Sequence, residues 1–113
     1  TTDKNNKNYI LLKKNKEFII NEFSKSNQKF NLIEIPLPDE VIFDNKKLVS
    51  SYINFYFTEN SIIVPRFNVK QDVIVMDIFS NLFKNKKIIF VDTNAINYGG
   101  GNIHCVTMNV PKL

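Results

Sequence analysis

A chain of 113 residues with 43% hydrophobic and 23% charged residues can form a single domain with one modest core. The net charge of +4 comes from scattered lysines without interleaved aromatic residues, so these lysines are interpreted as solvated surface rather than as a nucleic-acid interface. No apolar run approaches the roughly 18 residues that cross a bilayer. One cysteine excludes an internal disulfide framework and fits a reducing, cytoplasmic setting.

The first part of the sequence predicts one helix and one short strand. Apolar residues recur at helical spacing from Tyr9 to Phe23, which predicts an amphipathic helix with one buried face. After a polar turn at 24–29, Phe30 to Ile35 alternates as a short strand does, and Pro36-Leu37-Pro38 ends it. Residues 39–50 are expected to be irregular and charged.

Residues 51–92 predict the element order β-β-α-β. Ser51 to Phe57 alternates cleanly, which predicts a strand with Tyr52, Asn54 and Tyr56 on one face, and Thr58-Glu59-Asn60 suits a hairpin turn. Ser61 to Pro65 and Lys86 to Asp92 read as buried strands. Between them, Asn68 is expected to cap a helix from about Val69 to Phe83, with an inward stripe of Val75, Ile78, Phe79 and Leu82.

The most distinctive stretch follows. The three glycines of the chain are consecutive, at 99–101, and the single histidine and single cysteine come just after them as His104 and Cys105. Consecutive glycines allow positive φ and a close approach to a ligand or to another segment. The alternation of Ile103, Cys105 and Thr107 with polar or opposite-facing neighbours predicts that the cysteine lies in a strand.

Two interpretations of Cys105 are open from the residues alone. A lone cysteine in an apolar strand is usually a small buried hydrophobe, whereas the adjacent glycines favour a nucleophile with an open approach path. Neighbouring side chains in a strand point to opposite faces, so His104 is interpreted as a structural residue hydrogen-bonded behind the loop. An acid/base partner for Cys105 would then come from polypeptide outside this sequence. One cysteine beside one histidine is no ligand set, so no metal site is predicted.

The run from Gly99 to Thr107, followed by Pro111, resembles the C-terminal signature of agmatine deiminases, within the bacterial peptidylarginine-deiminase-like group of guanidine-modifying enzymes. The segments 36–38, 51–55 and 63–67 resemble blocks of that family in the same order. The resemblance implies an α/β fold of the pentein type, a five-bladed α/β propeller of ββαβ modules, of which this chain would be the C-terminal third. Residues 1–113 would form a single C-terminal segment of a larger domain, with 1–50 ending one module and 51–113 forming a ββαβ module with the glycine-cysteine loop.

The resemblance also implies the chemistry. Cys105 would be the nucleophile that attacks the guanidinium carbon of agmatine, forming a covalent amidino-cysteine and releasing ammonia before water yields N-carbamoylputrescine. Gly100, Gly101 and Asn54 would contact the substrate, although a structural hydrogen bond within the sheet is an equal alternative for Asn54. Asn102 is interpreted as loop-shaping, and Asp72 as a first-turn helix residue rather than a substrate carboxylate. No cofactor is implied, the rest of the same protein would supply a histidine and carboxylates, and a homodimer is left open.

Other functions are weighed beside this one. Within the family, the alternative is a peptidylarginine or free-arginine deiminase, because residues that contact the far end of the substrate decide between them. Outside it, the chain could be a non-catalytic fragment or a binding module, which the intact run from Gly99 to Cys105 disfavours.

Overall fold

The structure is a computed structural model that describes residues 4–26 and 28–110. It divides into two compact units, Thr1–Pro36 and Leu37–Leu113. Pro111, which belongs to the family-like run, and the start of the polar N-terminal segment lie outside the described residues. Within the described ranges no helix is long and apolar enough to cross a membrane.

The first unit contains helix α1, Tyr9–Ser24, which confirms the predicted helix. The expectation of a buried face is wrong, because α1 has no buried residue and Phe18 is 66% exposed. The predicted strand at 30–35 is also absent: these residues have irregular backbone, although the ring of Phe30 packs on Phe23 with centroids 4.1 Å apart. A strand exists through ladder hydrogen bonds to a neighbour, and the described residues of this unit provide none.

The second unit begins with a small hairpin that the sequence analysis missed. Strands β1, Ile42–Phe43, and β2, Lys46–Lys47, pair antiparallel. Asp44 and Asn45 connect them with φ of 49° and 58°. Two consecutive positive φ angles characterise the tight hairpin turn that favours Asp, Asn and Gly, so the Asp-Asn pair was the available signal in a segment expected to be irregular.

The predicted β-β-α-β order is confirmed. Strands β3, Tyr56–Phe57, β4, Ser61–Arg66, and β5, Lys87–Asp92, form a sheet in the order β3-β4-β5. β3 and β4 are antiparallel across the predicted turn at 58–60, and β4 and β5 are parallel, joined by helix α2, Gln71–Leu82. The core lies between this sheet and α2, with Tyr52, Ile62, Val64, Phe67, Val75 and Phe79 buried. β5 is half-buried to exposed rather than buried as predicted.

The predicted strand from Ser51 is mostly a turn, and only its last two residues pair. Tyr52 is 1% exposed whereas Ile53 is 68% exposed. The Tyr52 hydroxyl donates to Asp72 Oδ1 at 2.6 Å, and its ring lies 5.1 Å from that of Phe67. This buried anchor draws residues 51–55 toward α2 and overrides the alternating pattern.

The start of α2 also differs from the prediction. Asn68 does not cap the helix; it has φ 59° and donates to Asp92 Oδ2 at 2.5 Å. Asp72, in the first turn, instead accepts the backbone N–H groups of Phe67 and Val69 at 3.3 and 3.1 Å. Of the predicted inward stripe, the first and third residues are buried, Ile78 is half-buried and Leu82 is 46% exposed.

Candidate active site

A cleft of about 430 Å³ in the second unit brings the predicted site residues together. Its lining includes Asn54, Gly100, Gly101 and Cys105, which come from the 51–55 turn and from the glycine loop. Asn97 and Asn102 also line it, although neither was predicted as a substrate contact. The four predicted site residues therefore share one cleft.

Cys105 lies in a helical turn, so the prediction of a strand at 103–107 is wrong. A short helix α3, Asn94–Tyr98, precedes the glycines, and a single 3₁₀ turn, His104–Val106, follows them. Asn102 starts this turn: its Oδ1 accepts the N–H of Ile103 at 2.8 Å, and its carbonyl accepts the N–H of Val106 at 3.2 Å. Asn side chains that bond neighbouring backbone in this way favour turns over strands, and this confirms Asn102 as a loop-shaping residue.

Two glycines use the freedom that the sequence suggested. Gly100 has φ 94°, a conformation that other residues rarely adopt. A Cβ atom on Gly101 would lie 3.0 Å from Cys105 Cβ and 3.7 Å from Cys105 Sγ. The loop therefore packs directly against the cysteine, at a distance that leaves a Cβ atom too little room unless the cysteine shifts.

Asn54 connects the 51–55 turn to the cysteine turn. Its Oδ1 accepts the backbone N–H groups of His104 at 2.8 Å and of Cys105 at 3.3 Å. Its Nδ2 donates to Cys105 Sγ at 3.1 Å. One half-buried amide thus contacts both the backbone and the sulfur of the candidate nucleophile.

Cys105 is exposed, so the interpretation of this residue as a small buried hydrophobe is wrong. Hydrogen bonds to the sulfur from the Asn54 side chain and from the Asn102 backbone lower the pKa of Cys105, and slight desolvation opposes them. Hydrogen bonds to a thiolate favour the charged form. The sulfur is therefore both accessible and prepared for the reactive thiolate state.

His104 does not have the role that the strand pattern indicated. Its backbone N–H is bound by Asn54, but the residue is exposed and its imidazole makes no hydrogen bond to another described residue. His104 lies in the 3₁₀ turn rather than in a strand. A turn does not send alternate side chains to opposite faces of a sheet, so the imidazole is not held behind the loop.

Two contacts in the cleft were not foreseen. With its amide nitrogen facing the carbonyls, Asn97 donates to Val49 O at 3.0 Å and to Gly101 O at 3.2 Å, and its oxygen accepts from Ser50 Oγ at 2.8 Å. Its partner Ser50 lies 47 positions away, so no local pattern encodes this contact.

The second unforeseen group is a cation. Lys46 Nζ lies 3.3 Å from the carbonyl oxygen of Tyr98 and 4.7 Å from the centre of its ring. The neighbouring Lys47 also lines the cleft and pairs with Glu40. The β1–β2 hairpin, whose existence the sequence analysis missed, therefore brings positive charge to the site.

Other titratable groups have structural partners. Asp72 is buried under Tyr52 and two backbone N–H groups, as expected for a first-turn residue rather than a substrate carboxylate. The described residues hold no group of three or more His, Cys, Asp or Glu side chains that could bind a metal ion. The chemistry that the cleft itself offers is that of a thiol with amide donors.

Comparisons with known proteins relate this chain to agmatine deiminases. A curated protein of Enterococcus faecalis, whose agmatine deiminase name is provisional, is 36% identical over 88 residues, covering 78% of this chain and 23% of its own length. A Legionella pneumophila protein of the same provisional name is 30% identical, covering 99% of this chain and 33% of its own length. The chain therefore spans about a quarter to a third of the length of these curated relatives.

Solved structures of agmatine deiminases are also similar to this chain. The agmatine deiminase of C. jejuni is similar with a TM-score of 0.79 and 32% identity, over 91% of this chain and 31% of that one. A Cys-to-Ser variant of that enzyme with substrate bound has a TM-score of 0.78. The fold is accordingly α/β of the pentein propeller type. A model of the Porphyromonas-type peptidyl-arginine deiminases matches residues 1–111, and the chain belongs to that family.

Proposed function

We propose that this chain supplies the nucleophile of an agmatine deiminase, which converts agmatine and water to N-carbamoylputrescine and ammonia. The observation that carries the proposal is the exposed Cys105 sulfur in the cleft, 3.1 Å from the amide nitrogen of Asn54. The similarity to the C. jejuni enzyme, one form of which was solved with substrate bound, favours agmatine as the substrate.

In the proposed reaction the Cys105 thiolate attacks the guanidinium carbon of agmatine. The tetrahedral adduct takes up a proton on one nitrogen and expels ammonia, which leaves an amidino group bonded to sulfur. Water adds to the same carbon and loses one proton. The remaining hydroxyl loses its proton as the carbon–sulfur bond breaks, which releases the neutral ureido product and regenerates the thiolate. The bound cation also stabilises the thiolate that attacks it.

The acid/base group and the carboxylates that grip the guanidinium are proposed to come from polypeptide outside this sequence. The cleft lining contains no carboxylate or histidine among the described residues. His104, next to the nucleophile, projects an exposed imidazole that bonds none of them. The 113 residues alone are therefore expected to lack deiminase activity, and the proposal concerns the intact protein.

Gly100 and Gly101 are proposed substrate contacts through their backbones. A guanidinium group has donors and no acceptor, so backbone carbonyl oxygens in the cleft lining suit it. The missing Cβ of Gly101 keeps the space beside the sulfur open. Asn54 is less suited, because its oxygen already accepts two N–H groups and its nitrogen already donates to sulfur.

The remaining expectations stay predictions. Residues 51–113 are proposed as one ββαβ module with the glycine-cysteine loop, and 1–50 as the end of a preceding one. A cytoplasmic location is likewise predicted, and the homodimer is left open.

Arginine deimination is the second candidate function, and one observation favours it. Lys46 lines the cleft and its described contacts are a carbonyl and an aromatic ring rather than a carboxylate. A cation at this position would attract the carboxylate of free arginine and repel the second positive charge of agmatine.

The deciding experiment compares three substrates on the intact protein. Ammonia release is measured with agmatine, arginine and a peptidyl-arginine, and mass spectrometry follows an amidino adduct on Cys105, with Cys105→Ser as the control. Ammonia from agmatine with an adduct, both lost in the variant, would support the proposal. Release from an arginine substrate alone would keep the chemistry and replace the substrate, and no release from any of them would favour a non-catalytic role.

A further inference from the structure

We propose that Asn54 is a positioning residue, which fixes the Cys105 turn and directs a hydrogen bond at its sulfur before substrate binds. The inference rests on the proposed function, because it assigns Asn54 to the nucleophile rather than to the substrate. It is tested by an experiment that needs no substrate.

The geometry of one amide carries the inference. The Oδ1 atom accepts two consecutive backbone N–H groups, those of His104 and Cys105, at 2.8 and 3.3 Å. The backbone carbonyl of Asn54 also accepts the His104 N–H, at 3.3 Å. The Nδ2 atom then reaches Cys105 Sγ at 3.1 Å. These contacts together define both where the turn begins and where the sulfur lies.

The amide is the functional group that this arrangement requires. It presents an acceptor and two donors on adjacent atoms, whereas a carboxylate has no donor and a hydroxyl is too small to contact both places. Because the oxygen faces backbone N–H groups that can only donate, the nitrogen must face the sulfur. The orientation of the amide is therefore set by the backbone, and its donor is aimed at the thiol in the absence of a substrate.

Asn54 lies in a turn that is anchored to α2. Its backbone N–H donates to Ser51 O at 3.4 Å across the 51–55 turn. The buried Tyr52 hydroxyl of the same turn donates to Asp72 at the start of α2. The turn thus connects the hydrogen bond at α2 with those from Asn54 to the cysteine turn.

The charged groups around the thiol are few. Lys46 and Lys47 line the same cleft, Glu40 pairs with Lys47, and His104 adjoins the cysteine. The described cleft lining contains no carboxylate. Any carboxylate that the rest of the intact protein brings to the site is common to the wild type and the variants, so a difference between them reports the group at position 54.

The test measures thiol reactivity in the intact protein with three variants. Asn54→Asp keeps the acceptor for the two N–H groups and replaces the sulfur-directed donor by a negative oxygen, while Asn54→Ala removes the donor without adding charge. Asn60→Asp makes the same charge change in the hairpin turn at 58–60, outside the cleft. Reaction with a neutral aromatic disulfide is followed by mass spectrometry of the Cys105 peptide across pH, and a thermal melt records folding.

We expect the midpoint of the pH–rate curve to move upward by about one pH unit in Asn54→Asp, to move less in Asn54→Ala, and not to move in Asn60→Asp. Because a more basic thiolate is also more nucleophilic, the rate below both midpoints falls only about threefold per unit. A wild-type midpoint in both Asn54 variants would overturn the proposal, as would an equal shift in Asn60→Asp. If Asn54→Asp fails to fold, Asn54→Ala decides alone. If the pH–rate midpoint shifts in the Asn54 variants but the intact protein releases no ammonia, the proposed deiminase activity is wrong and the positioning role of Asn54 still holds.

Discussion

The close contact between Gly101 and the proposed nucleophile, Cys105, makes Gly101→Ala the sharpest test of the site geometry. The new methyl group would lie 3.0 Å from Cys105 Cβ and 3.7 Å from Sγ. Carbon atoms in contact prefer separations of about 3.5–4.0 Å. The cysteine must therefore shift by a few tenths of an ångström to relieve the contact.

Such a displacement acts on catalysis more than on stability. Cys105 is exposed, so the 3₁₀ turn can shift without opening the core. Its bonds to Asn54 would lengthen, and a misplacement of about 1 Å at a reacting group can cost on the order of 100-fold in rate. Because the shift here is only a fraction of 1 Å, we expect Gly101→Ala to lower kcat by roughly 3- to 10-fold.

Gly100→Ala changes the neighbouring position of the same loop without touching Cys105. Its Cβ would meet nothing within 4 Å, but its φ of 94° would be strained by a side chain. It should lose about 1–2 kcal/mol of unfolding free energy, and because Gly100 is a proposed substrate contact, its effect on activity should appear in KM more than in kcat. Both variants are compared by ammonia release and by urea unfolding of the intact protein. Turnover equal to wild type in a stably folded Gly101→Ala would refute the claim that the loop packs on the nucleophile.

Three further predictions concern the anchor and the core. Tyr52→Phe keeps the ring contact with Phe67 but removes the hydroxyl from Asp72, and urea unfolding should show a loss of about 2 kcal/mol; an unchanged midpoint would contradict the anchoring role. Burial, and then the hydrogen bond to Asp72, raise the pKa of Tyr52. Its contribution is therefore complete below the unfolded-state pKa of about 10 and is lost as pH rises above it, so wild-type stability should fall there more steeply than that of Tyr52→Phe. Phe79→Ala empties a site that is 1% exposed and should cost about 3–5 kcal/mol; a loss below about 1 kcal/mol would mean that the core does not depend on this ring.

The sheet and its helix could be predicted because their signals are local. In β4, a short apolar run contains the buried Ile62, Val64 and Pro65, and in α2, Val75 and Phe79 recur at helical spacing. Each pattern lies within one segment and indicates the type of that segment and which of its residues are buried. The order β3-β4-α2-β5 could therefore be predicted from the sequence. Boundaries were less accurate because side chains outside the pattern set them, as Asp72 does for α2.

The location of the site could be predicted from the sequence, but its backbone conformation and hydrogen-bond partners could not. The glycines and Cys105 identified the loop, but alternating residues suggested strands at 51–57 and 103–107. Residues 51–55 and 104–106 instead form turns, held by bonds from Tyr52 to Asp72 and from Asn54 to Cys105 that span 20 and 51 positions. Periodicity cannot encode such contacts, because they depend on which distant polar atom becomes the partner.

A turn suits the cysteine better than the predicted strand would, because it leaves backbone N–H groups available. In a sheet, backbone N–H groups are committed to the ladder of a neighbouring strand. At the start of a helical turn the first N–H groups have no partner within the turn, and here those of His104 and Cys105 are free to bind Asn54 Oδ1. The amide that satisfies them must turn its nitrogen toward the sulfur, which remains exposed. The departure from regular structure thus positions the donor, the thiol and its approach path together.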